Sequence, residues 1–156
     1  MAAYTYEYRV NPGYAVPAQV VGELCEQLEG TEEGLTPHTF IEASRDPSSP
    51  THIMLEWNDD IAAEKYREHQ ARKIIGNIRI VKEENDTSYL ERGFVSIPGG
   101  TNTYVTMQSA LNRDDWRKHL LDDARRDMEC FKAKYRRLTE LAAVIAEMDK
   151  VTSQVG

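Results

Sequence analysis

Apolar and polar side chains change their spacing several times along the chain, and each spacing predicts one kind of element. In residues 4–10, "YTYEYRV", the two kinds alternate, which predicts a half-buried strand with the tyrosines and Val10 on its inner face. Residues 17–29 and 37–45 follow helical spacing. Thr36 stands in position to cap the second of these helices, which begins with a proline.

A third helix is predicted over residues 60–76, where apolar positions recur at spacings of three and four. Asn58 or Asp59 can accept the first backbone N–H bonds of this helix. With the cap at Asn58, Trp57 can pack on Ala62 as a hydrophobic staple. We therefore predict that the Trp57 ring is largely buried at the start of this helix.

The pattern changes again in residues 77–107, which predict a small antiparallel sheet. Segments rich in β-branched and aromatic residues occupy positions 77–82, 89–97 and 103–107. Loops that contain Asn, Asp and Gly separate them, as in a meander. The N-terminal strand can join the edge of this sheet.

Residues 113–155 contain neither glycine nor proline, and apolar side chains recur there at spacings of three and four. This pattern predicts one long amphipathic helix, or two helices joined at a kink, beginning after a capping Asn112. About 36 helical residues would span about 54 Å, which exceeds the width of a small domain. The excess length predicts a homodimer or higher oligomer held by a coiled-coil-like seam of Phe131, Tyr135, Leu138 and Ile145.

These elements together predict an α+β fold. It consists of an N-terminal strand and helical module (residues 1–76), a small antiparallel β-meander (residues 77–107) and a long C-terminal oligomerisation helix (residues 108–156).

The composition favours a folded protein outside the membrane. Hydrophobic residues make up 40% of the chain and charged residues 29%, as in ordinary globular domains. No apolar run approaches the roughly 20 residues of a membrane span, and the first residues lack the pattern of a secretory signal. Cys25 and Cys130 do not suggest a disulfide framework. We therefore expect a reduced, cytoplasmic environment.

The net charge of −7 is spread unevenly along the chain. Residues 1–60 hold 11 acidic and 2 basic side chains, whereas residues 61–137 hold 12 acidic and 16 basic ones. Such asymmetry is compatible with ordinary solvated surface, with pairing between subunits, or with a surface for a polyanion.

The side chains that could carry catalysis or hold a metal lack the spacing that such sites need. The histidines do not occur in HExxH or a similar ligand arrangement. Asp59 and Asp60 could serve acid–base chemistry or hold magnesium, but helix capping already accounts for two acids at a helix start. No phosphate-binding glycine loop or nucleophile motif occurs. We predict no catalytic residue, no metal site and no cofactor.

Basic side chains on the third predicted helix suggest a surface for duplex DNA. They are Lys65, Arg67, His69, Arg72 and Lys73. Three successive helices give the element count of a helix-turn-helix bundle, whose last helix could enter a major groove. Against this interpretation, Glu64 and Glu68 lie among the basic side chains, and their negative charges would repel phosphate. The loop before the third helix is also longer than the usual turn.

A longer stretch, "LTPHTFIEASRDPSSPTHIMLEWNDDIAAEKYREHQARKIIGNIRIV", resembles a family of small, uncharacterised proteins of tailed phages and prophages. The shared pattern is SPxH...EWxDxxAAExYRxxQAR, carried here by Trp57, Asp59, Ala62, Ala63, Tyr66, Arg67, Gln70, Ala71 and Arg72. The resemblance extends over roughly residues 17–150, and the chain departs from the pattern at Thr51 and Asn58. It implies a viral or mobile-element context and supplies no reaction.

Two functions follow as hypotheses. The first is a non-enzymatic, phage-encoded DNA-binding or regulatory protein that acts as an oligomer in the host cytoplasm. The alternative is a structural or adaptor protein of phage assembly or host takeover, which works through contacts with phage or host proteins. They differ in charge geometry, because DNA binding needs the basic side chains of the third helix exposed on one continuous face, whereas an adaptor allows acidic side chains to neutralise them.

Overall fold

The computed structural model describes residues 3–59, 63–99 and 102–154. The chain divides into two compact units, Met1–Asn112 and Arg113–Gly156. Both helices and strands occur, so the predicted α+β class is confirmed. The described helices are α1 (Ala18–Glu29), α2 (Pro37–Ser44), α3 (Glu64–Asn77), α4 (Met107–Leu111), α5 (Asp114–Tyr135) and α6 (Ala142–Gln154). The described strands are β1 (Tyr6–Tyr8), β2 (Ile78–Glu84), β3 (Thr87–Arg92), β4 (Phe94–Ser96) and β5 (Tyr104–Thr106).

The first unit contains two small antiparallel sheets. β1, β2 and β3 form one sheet in that order, so the N-terminal strand does join its edge. Asn85 and Asp86 have positive φ angles of 50° and 63°, which suit the tight two-residue turn between β2 and β3. The N-terminal helices lie in the same unit as both sheets, since that unit extends from Met1 to Asn112.

The strand predicted over residues 89–97 is interrupted. The predicted single meander is therefore wrong, and two separate sheets take its place. Gly93 lies between β3 and β4, and β4 pairs with β5 in a separate two-stranded sheet. A Cβ atom at Gly93 would lie 3.0 Å from the Ile78 carbonyl oxygen. The close approach of the backbone to Ile78 explains the glycine and the change of partner at this point.

The core of the first unit lies between its helices and the inner face of the three-stranded sheet. Its fully buried large side chains are Val21, Cys25, Leu35, Phe40, Ile41, Ile74, Ile75, Ile78, Phe94 and Val95. Tyr6 stacks on Phe94 with ring centroids 6.0 Å apart. Val10 is 64% exposed, so its predicted place on the inner face of the first strand is wrong. β1 ends at Tyr8, before the alternation reaches Val10.

The predicted cap of α2 is confirmed. The Thr36 hydroxyl accepts a hydrogen bond from the Thr39 backbone N–H at 3.0 Å, and the Thr39 hydroxyl accepts one from the Thr36 backbone N–H at 2.9 Å. Pro37 occupies the first turn, where a missing N–H costs nothing. This reciprocal cap fixes the start of the helix beneath the core residue Phe40.

Helix α3 begins later than predicted. Its N-cap is Ala63, which has no capping side chain, so the predicted caps Asn58 and Asp59 are wrong. The Asp59 carboxylate instead accepts a hydrogen bond from Arg67. Ala62, the predicted partner of Trp57, lies outside the described residues.

The C-terminal segment forms two helices rather than one, which was the second of the two predicted arrangements. α5 ends at Tyr135, a short 3-10 turn covers Thr139–Leu141, and α6 follows. The N-cap of α5 is Arg113, so the predicted cap at Asn112 is wrong. Within the described part of the chain, no helix combines the length and apolar composition needed to cross a membrane.

Candidate functional site

Trp57 lies in a polar and aromatic cluster between α2 and α3. Its ring stacks on His52, with centroids 4.9 Å apart and planes 4° apart, and its indole N–H donates to the His52 carbonyl at 2.7 Å. The His52 Nδ1 atom lies 2.9 Å from the carbonyl oxygen of Ser44. The buried Ser44 and Thr51 hydroxyls share a hydrogen bond of 2.6 Å. These contacts connect the loop before Trp57 firmly to the end of α2.

Arg67 lies beside Trp57 and is buried, with 6% of its side chain exposed. Its Nε donates to the Glu56 carbonyl at 2.8 Å, and its other nitrogens pair with Asp59 and with Glu64, the latter at 3.2 Å. Its guanidinium lies 5.5 Å from the centroid of the Trp57 ring. These charge-assisted bonds connect the loop ahead of α3 to the first turn of that helix.

Near Arg45, three side chains form the only cluster among the described residues that has the geometry of a metal site. His38, Glu42 and Glu64 place one ligand atom each within 4.8 Å of one another. The Arg45 guanidinium lies 2.7 Å from Glu42 and 3.9 Å from Glu64. Its hydrogen bond holds the pKa of Glu42 below the usual value. Because the arginine charge already lies beside both carboxylates, this cluster carries no metal assignment.

The hydrogen bond from Arg67, together with its positive charge, also holds the pKa of Asp59 below its usual value. The folded pKa is therefore lower than the unfolded one, so this pair stabilises the fold above about pH 4 and ceases to do so as the pH falls through the folded pKa. Asp59→Asn keeps the acceptor oxygen and removes the charge. We expect the difference in unfolding free energy between native protein and variant to be largest at neutral pH and to shrink below about pH 4.

Chemical denaturation of both proteins between about pH 3 and about pH 7 measures this difference. Asp86→Asn is the matched control, because Asp86 is an exposed turn residue and asparagine tolerates its positive φ angle. A difference for Asp59→Asn that stays constant over this range would show that the pair does not stabilise the fold.

The basic residues predicted to contact DNA do not form one set. Arg67 is buried and paired with carboxylates, so it cannot also reach a phosphate, and we remove it from the predicted surface. Arg72 is 38% exposed and pairs with Glu68 at 3.3 Å. Lys65, His69 and Lys73 are exposed along α3 at intervals of four residues.

The residues predicted as one C-terminal seam lie on different segments. Phe131 and Tyr135 are on α5, with ring centroids 4.8 Å apart. Leu138 lies in the break between helices and is 47% exposed, whereas Ile145 is buried on α6. The prediction of one continuous seam is therefore wrong, because α5 ends at Tyr135, before Leu138.

α6 packs back against the last turns of α5. Lys132 on α5 is buried, and its ammonium group contacts Glu129 at 2.6 Å and Asp149 on α6 at 2.7 Å. Hydrogen bonds from Lys132 lower the pKa of Asp149. The second unit is therefore a helical hairpin held by an ion pair that the apolar pattern did not indicate.

Two shallow clefts on the first unit bring Arg9, which sequence reasoning missed, together with His69, Arg72 and Lys73 of the predicted basic set. One cleft of about 390 Å³ is lined by Arg9, Val10, Pro12, Tyr14, Arg72, Lys73, Gly76 and Asn77. The other, of about 260 Å³, is lined by Tyr14, Met54, Tyr66, His69, Gln70, Lys73 and Ile74. The two clefts share Tyr14 and Lys73, so they form one surface. Strand alternation could have placed Arg9 beside the later strands, but only with the register known.

Comparison of the chain with protein-family models, with curated proteins and with solved structures gave no match.

Proposed function

We propose that this chain is a non-enzymatic, oligomeric protein of phage or prophage origin that works through protein–protein contacts in the host cytoplasm, as an assembly or adaptor protein. The observation that carries the proposal is the exposed apolar surface of the C-terminal hairpin. The neutralisation of Arg67 and Arg72 by neighbouring carboxylates also favours protein contacts over binding of duplex DNA through α3.

The hairpin unit buries very little apolar surface. Among its described residues, only Lys132 and Ile145 are buried. Its large exposed apolar side chains, each 47% or 48% exposed, are Leu121, Leu138, Val144 and Val151. Because helices of this length owe most of their stability to packing of an apolar face, such a unit needs a covering surface.

The N-terminal half of α5 lies beyond the reach of α6. Asp149 is level with Lys132, and the five residues that follow it to the end of α6 extend about 8 Å. From Lys132 back to Leu120 the helix extends about 18 Å. α6 therefore does not reach the apolar stripe around Leu120, where Leu120 is half-buried and Leu121 is 47% exposed. A second copy of the same stripe is the simplest cover, because most soluble oligomers are symmetric homo-oligomers.

Hydrogen exchange at different protein concentrations tests this proposal. We expect the amides of residues 114–128 to gain protection between about 1 μM and about 100 μM protein, because a partner that binds only the folded chain stabilises it by mass action. The amides of β2 provide the internal control, since they are paired within one chain. Protection of residues 114–128 that does not depend on concentration would contradict self-association through α5.

Duplex DNA binding through α3 is the second candidate. Lys65, His69 and Lys73 support it, because they remain exposed at four-residue intervals on one helix. This candidate would be favoured if the native protein binds duplex DNA and the variant Lys65→Glu combined with His69→Glu does not. The acidic neighbours on the same helix, Glu64 and Glu68, oppose it.

A further inference from the structure

Three arginines meet on the open face of the three-stranded sheet. Arg79 on β2 lies directly opposite Arg92 on β3. Arg9 follows β1 and lies two residues after Glu7, the partner of Arg79, so alternation places it on the same face. Arg9 and Arg92 are exposed, and Arg79 is half-buried.

This arrangement is electrostatically unfavourable for the fold. Like charges directly opposite each other on neighbouring strands destabilise a sheet. In the described part of the chain, no carboxylate oxygen lies within 4.0 Å of the charged groups of Arg9, Lys73, Arg79 or Arg92. Burial lowers the pKa of Arg79, and the charges of Arg9 and Arg92 lower it further. Glu7 is opposite Arg79, but its carboxylate does not come within ion-pair distance of the described arginines. The cluster therefore has positive charge available for an anion.

The arginine cluster continues into the two adjoining clefts. The Arg79 guanidinium donates to the Gly76 carbonyl at 2.8 Å, and Gly76 lines the same cleft as Arg9 and Lys73. Lys73 and Tyr14 lead from there into the second cleft, which Tyr66 also lines. Tyr66 is 50% exposed, so its ring is open to solvent at this end of the surface.

We infer that this surface, from Arg92 through Arg79, Arg9 and Lys73 to Tyr66, binds single-stranded nucleic acid. A row of basic side chains that can follow a phosphate backbone, ending at an exposed aromatic ring on which a base can stack, is the combination that single-strand binding uses. The inference is independent of the proposed self-association. It also differs from the α3 candidate, because it uses the sheet face and does not require a major groove.

Fluorescence anisotropy with a labelled oligothymidylate of about 12 nucleotides tests the inference. With four unpaired cations on the surface, we expect log Kd to rise with log salt with a slope of about 3. Arg9→Glu combined with Arg92→Glu should at least halve this slope and weaken binding more than tenfold. The unfolding midpoint should not fall, because a glutamate at position 92 would face Arg79 as an opposite charge.

Two substitutions at Tyr66 test whether its ring stacks on a base. Tyr66→Ala should weaken binding about fivefold to a hundredfold, and Tyr66→Phe should bind like the native protein, because stacking needs the ring and not the hydroxyl. Arg137→Glu combined with Lys150→Glu makes the same change in net charge at exposed positions outside residues 114–128 and should leave binding unchanged. This control separates a local site from general attraction.

Several results would overturn the inference. They are the absence of oligothymidylate binding at about 50 mM salt, equal losses in the arginine variant and the Arg137 and Lys150 control, tighter binding of a duplex of the same length, and unchanged binding by Tyr66→Ala. None of these results bears on self-association, which is measured without nucleic acid.

Discussion

Replacing Trp57 with alanine is expected to lower the free energy of unfolding by about 3 kcal/mol, the lower end of the range for large aromatic truncations in cores. The ring is partly exposed, but it stacks on His52 and lies beside the guanidinium groups of Arg45 and Arg67. Its removal leaves the His52 carbonyl without the indole donor and Arg67 without one wall of its pocket. Chemical denaturation monitored by circular dichroism measures the loss.

Trp57→Phe is the control for this prediction. It keeps a flat ring against His52 and removes the indole N–H, so the expected loss is about 1 kcal/mol, the net contribution of one hydrogen bond. A loss of less than about 1 kcal/mol for Trp57→Ala would show that the ring does not hold the loop to α2 and is available for a binding role.

Leu120→Asp combined with Leu121→Asp is expected to convert the protein to a monomer, raising the Kd for self-association at least about a hundredfold. Both residues belong to the N-terminal half of α5, beyond the reach of α6. Leu121 is 47% exposed within a single chain, so aspartate there should be tolerated in the monomer. In a desolvated interface between two copies, however, a charge without a partner is costly. Sedimentation velocity of the variant measures the change.

Gln108→Asp combined with Asn112→Asp is the matched control. It adds the same charge at exposed positions in and just after α4, and we expect the oligomer to persist. If the α5 variant also remains oligomeric, the interface is not the N-terminal half of α5. Ile145 is unsuitable for this test, because it is buried against its own chain and its replacement would disrupt the hairpin.

The sequence predicted those parts of the fold that depend on short-range patterns. The cap at Thr36 and the helix over residues 17–29 were correct, because capping and helical spacing are set within a few residues. The start of α3 was wrong, because Asp59 forms a tertiary ion pair with Arg67 and does not cap the helix.

The break in the sheet depends on a contact that no local pattern contains. Gly93 interrupts the predicted strand 89–97 because its backbone approaches Ile78, which is on another strand. The break between α5 and α6 is of the same kind. Residues 136–138 contain no glycine or proline to mark it, and the hairpin closes through Lys132 and Asp149, which are 17 residues apart.

The candidate surfaces were predicted only in part. The sequence indicated a basic set on this helix, and of that set Lys65, His69 and Lys73 are exposed on α3. It could not show that Arg67, one of the same basic series, turns inward, because that depends on the loop containing Asp59. The arginine cluster was missed altogether, since Arg79 and Arg92 come together only through the register of β2 and β3.

The most direct test of the proposed function is the molar mass of the unmodified chain in solution. Light scattering coupled to size-exclusion chromatography, at about 50 μM protein and about 0.3 M salt to screen surface charges, gives this mass without reference to shape. Self-association through the hairpin predicts a mass of at least twice the 17.8 kDa of one chain. A mass of 17.8 kDa under these conditions would contradict it.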